Sequence, residues 1–328
     1  MLAQLAVLST LWAWGGLKAS PWVPTRALIQ SRGLPLQPGR FWGNAELPLE
    51  RAEGGDTPVL TFSSEGGPVR LLLDTGAASA MVSPALVQRL GLRRVSLTPD
   101  QFSLLGGGED CGLLELSKTR LPHLLLSPGS SPGPPLRLQG MEALVLPVVA
   151  LPRGVDGVLG APTLRQVPFV IDPLGEKLFF GAEALGWRQR MPLAPKVIPL
   201  NWRYGVPRGG IRLEPSPESP TRMADALMDT GAEGLFLTPR LGASLRPAGA
   251  PQAARLMGVC GEQQVLRQRL TGIGLAPEAP ANPTVEAILT SNPVFALLGV
   301  EAIVGQELLR SKSQLWRLDE NPPRLEVW

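Results

Sequence analysis

Imidazole and thiol are scarce in this chain: its 328 residues include one histidine, His123, and two cysteines, Cys111 and Cys260. A Ser-His-Asp or Cys-His relay would have to use His123. That residue lies in Arg120-Leu121-Pro122-His123-Leu124, and no G-x-S-x-G elbow occurs anywhere in the sequence. A catalytic zinc site needs two or three His or Cys ligands at defined spacing, which these three residues do not supply. His123 is therefore read as a surface or structural residue, and no metal or cofactor is expected. Two distant cysteines make no disulfide framework. The net charge is only +3 and the basic residues are scattered. With no basic patch interleaved with aromatics, nucleic acid is not expected as a partner.

Long apolar runs are also missing. The stretch Leu2 to Trp14 falls short of the ~20 residues of a membrane span. Followed by Lys18-Ala19-Ser20, it reads as an export signal cut near Ala19. Against that, no Lys or Arg precedes the run and Gly15-Gly16 interrupts it. The other reading of residues 1–20 is a disordered or strand-forming segment. An exported, periplasmic or membrane-associated protein is favoured over a cytoplasmic one.

Glycine and proline are abundant instead, at 37 and 35 residues. Such punctuation favours many short strands and turns. The length suits two domains or one duplicated one. Asp-Thr-Gly-Ala occurs twice, at Asp74-Thr75-Gly76-Ala77 and Asp229-Thr230-Gly231-Ala232, each after an apolar run.

Further landmarks repeat in order. Short strand-like segments precede each tetrapeptide. After it, Met81-Val82-Ser83-Pro84 and Leu235-Phe236-Leu237-Thr238-Pro239 each read as a strand whose Ser or Thr caps a short helix begun by proline. Next comes a glycine-rich hairpin tip, around Leu105-Gly106-Gly107-Gly108 in the first unit and Met257-Gly258-Val259 in the second. Each unit closes on two apolar residues and a glycine: Val158-Leu159-Gly160 and Ile303-Val304-Gly305. The first unit is longer between its aspartate and its closing glycine, and Ser127 to Pro135 is the natural insertion. The expected organisation is an N-terminal segment 1–20, an extension 21–40, an N-terminal lobe 41–181, a linker 182–196 and a C-terminal lobe 197–328.

Taken together, these landmarks resemble the pepsin–retropepsin clan of aspartic peptidases, from Ala45 to the C-terminus. The alanine after each Asp-Thr-Gly is similar to retroviral enzymes, and the single two-lobed chain is similar to pepsin. The resemblance implies a mostly β, bilobal fold, with two β-barrel lobes related by a pseudo-twofold axis and a cleft between them. It implies a monomer that acts on polypeptide. Asp74 and Asp229 would face each other as the catalytic pair. Thr75 and Thr230 would cross-bond the two turns, while Gly76, Ala77, Gly231 and Ala232 support them. Leu105, Gly106, Gly107, Gly108, Met257, Gly258 and Val259 would be flap residues over the substrate. The chain departs from pepsins in having no flap tyrosine, since its one tyrosine is Tyr204. Two cysteines also cannot supply the disulfides common in pepsins.

The chemistry explains why two carboxyls are wanted. Two carboxyls a hydrogen-bond length apart do not both ionise easily, so one keeps its proton while the other serves as base toward a water between them. The pair titrates as a unit. Water attack and protonation of the leaving nitrogen then need no metal, cofactor or covalent intermediate. Ala77 and Ala232 cannot donate a hydrogen bond to the carboxylates, so the acid limb is expected in mild acid. The competing reading is that each aspartate merely caps a turn, but turn caps would not require matched flanks and matched downstream glycines. A catalytically inactive peptide-binding protein on the same scaffold is the alternative function. Ser79 and Glu233, just past the two turns, are either substrate contacts or ordinary turn residues. Cys111 and Cys260 either approach across the two tips or stay unpaired thiols.

Overall fold

The computed structural model describes residues 23–24, 28–31, 36–98, 102–105, 116–126, 133–146, 151–215, 218, 220–258, 261–275 and 284–328. It is mostly β and two-lobed. The first lobe is built on an eight-stranded sheet. Its strand Val69–Asp74 carries the run Leu71-Leu72-Leu73, buried on both faces, the pattern of a strand covered on each side. Val69–Asp74 pairs in parallel with Gly157–Gly160. That strand runs antiparallel to Met81–Val82, which is parallel to Glu142–Val145.

The second lobe repeats this weave. Arg222–Met228 pairs in parallel with Ala302–Val304, which is antiparallel to Leu235–Leu237, itself parallel to Val285–Leu289. In each lobe one connection therefore brings a late strand in beside the strand that carries the aspartate. The helix starts match the sequence reading. Ser83 Oγ accepts from Leu86 N at 3.1 Å and Thr238 Oγ1 from Leu241 N at 3.2 Å, with Pro84 and Pro239 in the first turn. The sheets are open among the described strands rather than closed into barrels. The first ends at the two-residue strands Glu50–Arg51 and Val95–Ser96, too short and too exposed to propagate pairing.

A six-stranded sheet joins the lobes. Its order is Lys196–Pro199, Arg324–Val327, Gln314–Arg317, Phe169–Asp172, Lys177–Phe180, Ala45–Pro48. Each lobe supplies three strands, and the two sets meet where Phe169, Val170 and Ile171 pair antiparallel with Trp316, Leu315 and Gln314. Phe169 and Trp316 stack there at 5.8 Å. One cluster of buried side chains runs from Phe41 and Phe62 in the first lobe to Ile211 and Leu325 in the second. The stretch read as a linker begins with a helix, Ala182–Arg190. Its Ala184 and Trp187 pack on Val170, Phe179 and Leu315, so burial of two apolar side chains on one helix face orders it.

The N-terminal extension is drawn into the second lobe's sheet and onto the first flap candidate. Leu28–Ser31 pairs antiparallel with Phe102–Leu105. Val23–Pro24 pairs in parallel with Gln252–Gly258, the first arm of a hairpin completed by Gly261–Thr271.

Candidate active site

Each Asp-Thr-Gly-Ala turn follows directly from a strand that ends in the lobe's core. Asp74 closes Val69–Asp74 and is in register with Gly160, while Asp229 N donates to Val304 O at 2.9 Å. The closing glycines explain themselves here. A Cβ on Gly160 would meet Ala77 O at 2.7 Å, and one on Gly305 would overlap the carbonyls of Ala232 and Gly234. The next residue in each case bonds the same turn: Ala161 N donates to Ala77 O at 2.9 Å, and Gln306 N to Ala232 O at 2.8 Å.

The two turns then lock to each other. Thr75 Oγ1 donates to Met228 O and Thr230 Oγ1 to Leu73 O, both at 2.7 Å. Thr75 N donates to Thr230 Oγ1 and Thr230 N to Thr75 Oγ1, both at 3.0 Å. Both threonines are fully buried. Each hydroxyl donates once and accepts once, so no buried polar atom of the pair is wasted.

This lock brings the Asp229 carboxyl group against the first turn, which holds Asp74. Gly76 N donates to Asp74 Oδ1 at 2.9 Å and Gly231 N to Asp229 Oδ1 at 2.8 Å. A Cβ on Gly76 would overlap the Asp229 carboxyl group. The Asp229 carboxyl thus rests against the glycine whose amide holds Asp74. Asp74 and Asp229 are 1% and 6% exposed, so both lie inside the protein rather than capping surface turns.

Residues 60–163 match the family model described as aspartyl protease. The matched segment contains the first Asp-Thr-Gly-Ala turn and its closing glycine, and it supports an aspartyl-protease scaffold; the second turn lies beyond it. A search of curated proteins returns no match. Among solved structures, the chain is similar to basic 7S globulin from soybean, with 11% identity, a TM-score of 0.48, and 87% of this chain and 94% of that one covered. It is likewise similar to conglutin gamma, a basic 7S globulin from lupine seeds, with 13% identity, a TM-score of 0.48 and the same coverage.

The remaining sequence candidates divide. Leu105, Met257 and Gly258 lie in strands. Gly106, Gly107, Gly108, Val259, Cys111 and Cys260 lie outside the described residues. His123 is exposed in a loop. Ser79 passes over Gly160, its carbonyl 3.0 Å from where a Cβ would sit.

Glu233 is engaged elsewhere. Its carboxylate crosses to the first lobe and accepts from Asp56 N at 2.8 Å, from Thr57 N at 3.0 Å and from Thr57 Oγ1. A Cβ on Gly55 would collide with it. Arg310 extends the contact by bonding Asp56 Oδ2 at 3.2 Å, and that hydrogen bond holds the guanidinium above its ordinary range. Gln306, absent from the sequence candidates, is buried and donates from Nε2 to Thr230 O at 2.6 Å. Its only sequence signal was position, directly after the closing glycine.

Proposed function

We propose that this protein is an aspartic endopeptidase that hydrolyses peptide bonds with Asp74 and Asp229 as its catalytic pair. The observation that carries the reading is the reciprocal Thr75–Thr230 lock, which brings the Asp229 carboxyl against Gly76, the glycine that holds Asp74. Two buried carboxyls within hydrogen-bond reach of one water would divide the roles of acid and base between them. The ionised one takes a proton from water, and the protonated one polarises the peptide carbonyl and later donates to the departing nitrogen. The flap strands and the duplicated weave of the two lobes support a single-chain, pseudo-symmetric enzyme acting on extended polypeptide.

The test is cleavage of an internally quenched peptide library in mild acid. Wild type should cleave and be blocked by a statine-type transition-state mimic. Asp74→Asn and Asp229→Asn should each lose at least ~1,000-fold, since each carboxyl contributes both acid–base and electrostatic work. Binding of peptides without cleavage by the wild type would replace this reading with that of an inactive peptide-binding protein.

A further inference from the structure

The two catalytic turns are built on the same plan but are fastened differently. Counting from each aspartate and each closing glycine pairs the contacts across the pseudo-twofold axis. Glu233 and Ala78 each stand four residues past an aspartate. Gln306 and Ala161 each follow a closing glycine, and Arg310 and Arg165 come five residues after one.

On the Asp229 side all three contacts are polar. Glu233 holds the first lobe's Asp56–Thr57 backbone, Gln306 Nε2 holds Thr230 O, and Arg310 holds Asp56. On the Asp74 side the equivalents are apolar or aromatic. Ala78 lies against Gly205 of the second lobe, with a distance of 3.7 Å from its Cβ to where a Gly205 Cβ would sit. Ala78 also packs on the cluster that holds Val206. Ala161 has no polar side chain to offer, and Arg165 lies over the Trp202 ring at 5.2 Å. The mate of the Glu233 clamp is thus a van der Waals contact without directional bonds.

We infer that Glu233 is a positioning residue: by clamping the second catalytic turn to the Asp56–Thr57 loop of the opposite lobe, it fixes where Asp229 stands relative to Asp74. Its carboxylate is one residue past Ala232, whose carbonyl accepts from Gln306 N. Thr57 Oγ1, which donates to Glu233, also lies 3.4 Å from Gly231 O. Release of the clamp therefore loosens the turn from which Gly231 N reaches Asp229 Oδ1. A charged acceptor with three donors makes a stiff joint, whereas the Ala78–Gly205 contact can slide. Any lobe rotation should pivot at Glu233 and open at Ala78. With its carboxylate oxygens accepting from protein donors, Glu233 has a holding rather than a substrate-binding task.

This inference rests on the peptidase reading for its kinetic readout, and a second readout is independent of it. Wild type, Glu233→Gln, Thr57→Val and the double variant are compared by peptide hydrolysis and by amide hydrogen exchange. Glu233→Gln sets an amide against donors and should lower kcat about tenfold or more, since small misplacements are costly, with KM within about twofold. Thr57→Val should do the same more weakly. The double variant should be no worse than Glu233→Gln, because the two share one contact. The amides of Asp56, Thr57 and Gly231 should exchange faster in Glu233→Gln, while that of Gly76 keeps its wild-type protection. A rise in KM with kcat unchanged, additive losses, or unaltered exchange at Gly231 would overturn the inference. A wild type that cleaves nothing would sink the peptidase reading instead, and the exchange pattern would then decide the clamp alone.

Discussion

Thr75 and Thr230 hold each other's amides at 3.0 Å while each hydroxyl donates into the opposite lobe, to Met228 and Leu73. Contacts between the lobes thereby join the turn amides that hold each carboxyl within its own lobe. Thr75→Val would strand Met228 O and Thr230 N inside the protein. A buried group left without its partner costs about 1–3 kcal/mol, so the variant should unfold at distinctly lower denaturant. Thr75→Ser keeps the hydroxyl and should stay within about 1 kcal/mol of wild type. Chemical denaturation of the three proteins is the check.

Gly76 has no room for a side chain, because the Asp229 carboxyl group occupies it. Gly76→Ala should therefore push Asp229 out of register and cut kcat by about 100-fold or more. Gly249→Ala, with nothing within 4 Å of the added carbon, should leave activity unchanged. Peptide assays of the two variants read the difference directly.

Activity should peak in mild rather than strong acid, because Ala77 and Ala232 offer no hydroxyl to the carboxylates. A pH–rate profile peaking near gastric acidity would contradict this. The fold holds an acid-sensitive joint of its own at Glu142. Burial pushes that carboxyl upward, but the Gln37 amide, Lys118 and Arg120 together outweigh it, so it sits below its ordinary value. A depressed carboxylate stabilises above its unfolded pKa, and that stabilisation is lost as pH falls through the folded value. Glu142→Gln should hence lower the thermal midpoint at neutral pH, and the gap to wild type should narrow as pH drops below about 4.

Removal of residues 1–35 should raise activity. Leu28–Ser31 and Val23–Pro24 pair with Phe102–Leu105 and Gln252–Gly258, the strands that precede the two candidate flap segments. An extended substrate that adds to those strands would compete for the same backbone groups. A lower KM in the truncated protein, with kcat little changed, is the expected result; equal KM values would show that the extension leaves the binding edges free.

Much of the site was legible because local signals and global needs coincide in it. Asp74, Thr75, Gly76 and their mates form tight turns whose spacing repeats, and Ser83 and Thr238 cap helices through bonds three residues away. The closing glycines were visible as a pattern, and their cause is the carbonyl of Ala77 or Ala232 pressed against each. Glu233 was visible only as a charge near a turn. Its partners Asp56 and Thr57 lie more than 170 residues away in sequence, and no periodicity encodes such a contact. Trp187 hid among arginines and glutamine in a stretch that read as linker, because a short helix with one apolar face gives little signal. The pairing of the extension with Phe102–Leu105 and Gln252–Gly258 was illegible for the same reason as Glu233: backbone ladders leave no mark of their partner in side chains.

The sheet that joins the lobes has one more consequence. Within each lobe its three strands are complete, and among the described strands the ladder between the trios is the antiparallel meeting of Phe169–Ile171 with Gln314–Trp316. A single lobe made on its own would expose that apolar rim with its amides and carbonyls unmatched. Antiparallel rims of this kind are self-complementary. An isolated lobe should therefore seek a second copy of itself, and two identical lobes would rebuild the missing seam.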